Sequence, residues 1–281
     1  MNVKEIVLQH GSRGMDYLKG YVPDDIYKTC AARLLEDNRK VALITTGFFV
    51  KNSAETDGPP GAYFLYLALQ QLGYEVKILV DPIVYPLMCK HIGHEALINM
   101  PLGDEVDVEK MAKFIRDEFN PSVIISTERC GRASDGKYKN MKGVDIGSHT
   151  AKIDEVFQIL DKQSYSVAIG DGGNEIGMGN LALEINKHLA LDPCQVMVDT
   201  LLIATVSNWG AYGLIAELGI QAQVPSVLPS AKTQYDFVKS IVSMGAVNGM
   251  SGVPECIVDG FDLQEEKQIM SDLYQYVAEA L

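Results

Sequence analysis

The 281-residue chain lacks the positive charge that binding to nucleic acid or to an anionic membrane requires. It has 24 Lys and Arg residues against 37 Asp and Glu residues, a formal net charge of −13. Nucleic-acid-binding proteins present basic patches instead. The sequence has no apolar run long enough to span a bilayer and no N-terminal signal-peptide core. These absences predict a cytoplasmic protein whose partners include neither nucleic acid nor a membrane.

Several catalytic chemistries also lack their usual residues. The five cysteines contain no CxxC pair, which favours reduced thiols over a disulfide framework or a zinc cluster. There is no HExxH motif, no GxSxG nucleophile elbow and no Gly-Lys-Ser/Thr phosphate loop. Carboxylates, amides and arginine remain as the chemical groups, and this set is typical of hard-metal chemistry.

Short β-branched segments alternate with amphipathic segments along the whole chain. The first kind predicts buried strands at 41–45, 75–80, 122–126, 166–169 and 201–206. The second predicts helices at 24–36, 60–72, 108–119, 153–161, 181–189, 211–218, 232–244 and 263–280. The alternation predicts a single α/β domain over residues 1–281, with a mostly parallel sheet between two helical layers in a Rossmann-like arrangement. An N-terminal helical extension is expected to precede it.

A glycine-rich loop at 170–180 follows the fourth predicted strand. Its residues Asp171 and Glu175 supply the oxygen ligands that Mg²⁺ or Mn²⁺ prefers. Its glycines allow backbone amides to face an anion, so we predict substrate contacts at Gly172, Gly173 and Asn174. A plain strand-to-helix turn is the simpler alternative, but such a turn needs fewer glycines.

Polar residues also follow three other predicted strands, and in a parallel sheet these strand ends meet at one edge. Substrate contacts are predicted at Thr46, Gly47, Arg129 and Asn208, and acidic catalytic groups at Glu55, Asp57, Glu128 and Asp171. Two structural alternatives stay open. Acidic residues ahead of a helix also suit its positive end, and the Glu128-Arg129 pair also suits a structural ion pair.

The strings ETDGPPGA at 55–62 and GDGGNEIGMGN at 170–180 resemble the D-glutamate cyclase-like family. The resemblance is to the domain that forms the C-terminal part of mitochondrial D-glutamate cyclases and also occurs alone in bacteria and archaea. It extends over nearly the whole chain from about Arg13. It implies an α/β fold and the conversion of D-glutamate to 5-oxo-D-proline with loss of water. Stand-alone relatives are also proposed to be manganese-dependent phosphatases, so that activity remains the alternative.

Under the cyclase hypothesis, Asp57, Asp171 and Glu175 hold Mn²⁺ or Mg²⁺, which polarises the γ-carboxylate of a small anionic metabolite. Glu55 or Glu128 takes the amine proton, and Arg129 holds the α-carboxylate. The amides of Gly172 and Gly173 stabilise the developing oxyanion.

One position departs from the family pattern. Asn248 stands where relatives often have Asp, and metal binding would be weaker here if that Asp is a ligand. A non-catalytic module for an anionic metabolite is less favoured, because anion binding alone gains nothing from so many carboxylates. The sequence leaves open whether the protein is a homo-oligomer.

Overall fold

The computed structural model describes residues 1–281 and contains a six-stranded parallel sheet in the order β5-β4-β1-β6-β7-β8. The strands of this sheet are β1 (Val41–Gly47), β4 (Glu75–Val80), β5 (Leu97–Asn99), β6 (Val123–Arg129), β7 (Tyr165–Gly170) and β8 (Thr200–Ile203). A small hairpin, β2 (Phe49–Val50) with β3 (Ser53–Ala54), follows β1. The predicted α/β fold with a parallel sheet is confirmed.

Helices cover both faces of the sheet. They are α1 (Val3–Val7), α2 (Met15–Leu18), α3 (Ile26–Leu35), α4 (Pro59–Gln71), α5 (Tyr85–Ile92), α6 (Val108–Glu118), α7 (Ile153–Asp161), α8 (Ala182–His188), α9 (Ser207–Gln221), α10 (Ala231–Ser243) and α11 (Leu263–Ala280). Because side chains alternate along a strand, Ile44 and Ile78 join the core that includes α4 and α9. Leu43 and Leu79 join the opposite core, with α6 and α7.

The strand order reverses between β1 and β6. From β1 the chain builds outwards through β4 and β5, and from β6 it builds the other way through β7 and β8. In open α/β sheets this switch point opens a crevice at the carboxyl ends of the strands, where ligands bind. The fold therefore predicts a ligand site at the carboxyl ends of β1 and β6.

A β-bulge interrupts the pairing of β1 with β6 at that point. Thr46 pairs with Thr127 but Gly47 pairs with Arg129, so Glu128 is the extra residue. Its φ of 47° lies in the left-handed region, which costs a residue with a Cβ about 1–2 kcal/mol. Bulges of this kind redirect side chains beside active sites, and here the redirected side chain is a carboxylate.

Three details differ from the sequence-based expectations. Helix α9 begins at Ser207 rather than 211, so its first turn lies directly at the sheet edge. Helix α5 and strand β5 were missed because both are short, with eight and three residues. The N-terminal extension is not distinct from the domain, since Val3, Ile6 and Val7 of α1 are buried in the main core. No helix is both long and apolar enough to cross a membrane.

Candidate functional site

Six acidic side chains meet at the switch point. They come from the β3–α4 loop, the β6 bulge, the glycine-rich loop after β7 and the segment before α11, and they are Glu55, Asp57, Glu128, Asp171, Glu175 and Asp259. Every one of these side chains is at most 6% exposed. We call this group the carboxylate cluster. Asp171 is central, because it lies within 4.8 Å of Asp57 and Asp259 on one side and of Glu128 and Glu175 on the other.

The first turn of α9 organises three of these carboxylates. The Ser207 amide donates to Asp57 Oδ2 at 2.9 Å and to Asp171 Oδ2 at 3.2 Å, and the Asn208 amide donates to Asp57 Oδ1 at 2.8 Å. The Ser207 hydroxyl donates to Glu128 Oε2 at 2.6 Å. A helix N-terminus attracts anions through its free amides and its dipole, so α9 fixes the centre of the cluster.

The Asn208 side chain holds the acidic loop in place. Its Oδ1 accepts from the amides of Gly58 at 3.0 Å and Gly61 at 2.8 Å, and its Nδ2 donates to the Thr56 carbonyl at 3.1 Å. Gly58 in turn lies where a Cβ would be 2.7 Å from Thr46 Oγ1. The structure thus shows Asn208 positioning Asp57, while its contact with substrate stays a prediction.

Arg13 reaches the cluster from the N-terminal segment between α1 and α2. Its Nη2 donates to Asp171, to Asp259 Oδ2 at 2.6 Å and to the Thr205 carbonyl at 3.0 Å. Sequence reasoning missed Arg13, Asp259 and Ser207. The sequence offered only a turn signal, since Arg13 and Asp259 each precede a glycine. The structure shows a positive φ at all four residues, but the turn signal does not say where the two side chains point.

The carboxylate cluster carries more negative charge than its one arginine balances. Burial raises the pKa of Glu55, Glu128 and Asp171 well above the usual range, and neighbouring carboxylates raise it further. Burial, followed by the charge of Asp259, raises the pKa of Asp57 to about 7. A group of acids this close cannot all ionise in a dry site unless further positive charge or protons enter.

The residues fit a divalent cation. Asp171 Oδ1 and Glu55 Oε1 are buried and have no hydrogen-bond partner, and Thr46 Oγ1 and Thr205 Oγ1 are likewise unpartnered. Buried polar atoms are rarely left unpaired without a reason such as a missing ion or water. The donor set is entirely oxygen, which suits Mg²⁺ or Mn²⁺. Asp57 and Asp171 of the predicted metal set lie together with Asp259, whereas Glu175 lies with Asp171 and Glu128.

The glycine-rich loop closes one side of the cluster. The Gly173 amide donates to Glu175 Oε2 at 2.7 Å and Gly173 has a φ of 112°, whereas no protein acceptor contacts the Gly172 amide. Asn174 Nδ2 donates to the Lys139 carbonyl at 2.8 Å. Of the two amides proposed to meet an oxyanion, Gly172 is therefore the one with a free donor.

Arg129 lies beneath the site rather than in the cluster. Its Nη1 donates to Asp81 Oδ2 at 2.5 Å and to the Gly47 carbonyl at 3.0 Å, and its Nη2 donates to the Ala151 carbonyl at 2.8 Å. The side chain is 1% exposed. These bonds tie β6 to the ends of β1 and β4 and to the chain entering α7. The contact of Arg129 with a substrate carboxylate stays a prediction.

Asn248 makes its contacts within its own loop. Its Nδ2 donates to Glu255 Oε1 at 2.8 Å, and its Oδ1 accepts from the Met250 amide at 3.0 Å. An aspartate here would face the Glu255 carboxylate. The adjacent Gly249 allows the loop to pack closely against the carboxylate cluster, because a Cβ at this position would lie 2.7 Å from Asp259 Oδ1.

The left-handed backbone at Glu128 predicts that glycine is more stable than alanine at this position, the reverse of the order within a helix. Glu128→Gly should be more stable than Glu128→Ala by about 1 kcal/mol, because both remove the side chain and only glycine adopts this φ without strain. Urea unfolding of the pair measures the difference. Gln223, exposed with a φ of 57°, should show the same order. The exposed helical residue Lys113 should show the opposite order. An Ala variant as stable as the Gly variant at Glu128 would contradict the strain.

Arg129→Gln is expected to cost about 3–5 kcal/mol, because it leaves the buried Asp81 carboxylate without its partner. Denaturant unfolding measures the loss. Adding Asp81→Asn to that variant should recover part of it, since the uncompensated charge is then removed. A loss below about 1 kcal/mol in Arg129→Gln would show that the pair does not hold these strands together.

Comparisons with known proteins agree with the family expected from the sequence. Residues 4–274 match the family described as D-glutamate cyclase-like, C-terminal. Human mitochondrial D-glutamate cyclase is 31% identical over 299 aligned positions, which cover 91% of this chain and 48% of the human protein. The chain therefore spans about half the length of that relative. An exopolyphosphatase-related protein from Bacteroides fragilis overlays with a TM-score of 0.39 and 12% identity, covering 90% of this chain and 60% of that one. The chain belongs to the D-glutamate cyclase-like family, and the part of the family that it matches is the C-terminal domain.

Proposed function

We propose that this chain is a D-glutamate cyclase-type lyase that converts D-glutamate to 5-oxo-D-proline and water with the help of a divalent cation. The observation that supports it most is the buried carboxylate cluster at the switch point of a chain in this family. The activity in the name of the human relative belongs to a protein twice as long, so for this chain it is a proposal.

The chemistry of the reaction matches acids of raised pKa. The substrate's amine must lose its protons, attack the γ-carboxyl carbon and form the new C–N bond, while one carboxyl oxygen leaves as water. Two protons leave the ammonium group and both end on the departing oxygen, so no net proton is gained or lost. The protein needs one group that accepts a proton and one that donates it, and carboxyls whose pKa burial has raised can serve in both roles.

Glu55 and Glu128 are the carboxyls proposed for this proton transfer. Glu55 Oε1 is buried and has no partner. Burial favours the protonated form of this carboxyl, so it would take a proton from the amine only once a bound cation favours its ionised form. Glu128 is held by the Ser207 hydroxyl, and its raised pKa keeps a proton available for the leaving oxygen. The Gly172 amide in the glycine-rich loop has no protein acceptor and is the donor proposed for the oxyanion.

A divalent cation would be held by Asp57 and Asp171, with Asp259 or Glu175 as a further ligand. When bound it would polarise the γ-carboxylate and balance the charge of the cluster. The other reaction considered from the sequence, a manganese-dependent phosphatase, is not favoured, because the matched relative is named as a cyclase.

The assay is incubation of the purified protein with D-glutamate or L-glutamate, with EDTA, Mg²⁺ or Mn²⁺, and detection of 5-oxoproline by mass spectrometry. We expect product from D-glutamate with a divalent cation. Asp171→Asn and Glu55→Gln should each lower kcat by about 10²–10⁴. Asp236→Asn, which breaks an exposed ion pair with Lys232, is the control and should leave the rate unchanged. No product under any cation condition would rule out the cyclase.

The cluster also predicts how stability depends on pH. The pKa of Asp57 is about 7 in the folded protein and about 3.9 in an unfolded chain. A carboxyl whose pKa is raised by folding stabilises the fold fully below the unfolded value and loses that contribution as the pH rises to the folded value. Without a cation, the free energy of unfolding should therefore fall between about pH 4 and pH 7.

Urea unfolding in EDTA at several pH values measures this fall. Asp57→Asn should make it shallower, and Asp236→Asn should not. Saturating Mn²⁺ at pH 7 should restore the lost free energy of unfolding in the wild-type protein. A Mn²⁺ effect of zero at pH 7 would show that no cation binds at these carboxylates.

A further inference from the structure

The guanidinium of Arg13 is held in the carboxylate cluster by a single nitrogen. Its Nη2 contacts three acceptors, Asp171, Asp259 and the Thr205 carbonyl. An Nη2 has only two hydrogens to donate. Meanwhile the Nε of the same side chain is buried and has no partner.

This is an unusual way to bind an arginine. Carboxylates normally engage a guanidinium through two parallel hydrogen bonds, and its planar fork is suited to that geometry. Here the acceptors instead converge on one point from different chain segments, Asp171 from the glycine-rich loop and Asp259 from the segment before α11. Oxygens that converge on a point are the arrangement that a small cation requires.

We propose that Arg13 is an exchangeable counter-ion: its Nη2 occupies the cation position, and a divalent cation displaces it onto the substrate's carboxylate. This rests on the proposed function. Asp57, Asp171 and Asp259 would then be the residues that hold the cation, and the Thr205 carbonyl released by Nη2 would be a further oxygen ligand. Cation binding precedes substrate binding, because only the displaced guanidinium is free to hold an anion.

The position of Arg13 in the chain allows this exchange. The segment between α1 and α2 has no regular structure, and its residues from Gln9 to Gly14 are all at least partly exposed. The Arg13 side chain is 17% exposed, compared with 1% for Asp171 and 3% for Asp259. The arginine therefore lies on the solvent side of the two carboxylates and can withdraw without opening the core.

The test is calorimetric titration of Mn²⁺ into the full chain, wild type and Arg13→Gln. Exchange predicts that Arg13→Gln binds Mn²⁺ at least about tenfold more tightly, because the cation no longer competes with a positive charge at its own position. The same variant should raise KM for D-glutamate, since the displaced guanidinium is lost. Arg132→Gln is the matched control. Arg132 also pairs with a buried carboxylate, Asp154, outside the cluster, so its loss should leave Mn²⁺ affinity unchanged.

Equal or weaker Mn²⁺ binding by Arg13→Gln would overturn the proposal, because an arginine that only supports the fold or assists the cation gives that result. No cation binding by either protein would overturn it too. Both results are separate from the cyclase assay, in which product formation by the wild type decides the reaction.

If Arg13→Gln does not fold in EDTA, refolding with Mn²⁺ tests the same exchange. The proposal requires rescue, since the cation supplies the missing charge at the same position. The fluorescence of Trp209, the only tryptophan and the residue after Asn208, reports that refolding. A chain that stays unfolded at saturating Mn²⁺ would overturn the proposal.

Discussion

Mutual repulsion among six buried carboxylates is the constraint to which the rest of this structure responds. Folding brings them together at the switch point, where desolvation and neighbouring charge both oppose ionisation. Three devices offset the repulsion: the first amides of α9, the guanidinium of Arg13, and protons retained on acids of raised pKa. A protein that required only stability at this position would not bury these carboxylates, and it would need none of the three devices.

Local backbone strain shows the same priority of function over stability. Arg13, Glu128 and Asp259 all have φ near 50°, and all three direct charged side chains into the cluster. Strained residues persist where the surroundings hold them, and they concentrate at active sites. The surroundings here include the fully buried Arg129–Asp81 pair under Gly47, which fixes the strand ends from which the bulge projects.

The sequence predicted the parts of the site that lie close to strand ends. Glu128 and Asp171 follow apolar runs that indicate strands, Asp57 lies in the connection from β1 to α4, and the parallel sheet brings all three to one edge. Arg13 and Asp259 lie 158 and 88 positions from Asp171 along the chain, in segments with no periodic pattern, so only the tertiary fold places them. The bulge at Glu128 was equally invisible, because the left-handed φ of this glutamate accompanies a register shift that pairs Gly47 with Arg129 and does not follow from local preference.

Charge balance connects the fold to the proposed reaction. Cyclisation moves two protons from nitrogen to oxygen inside one substrate, so a closed site with no proton supply from solvent can complete it. Such a site must nevertheless hold acids in both protonation states at once, and a crowded group of carboxyls does so because each ionisation raises the pKa of the next. In the proposed reaction, a bound cation would set how many of them ionise. The same repulsion that opposes folding would then give the site both its acid and its base.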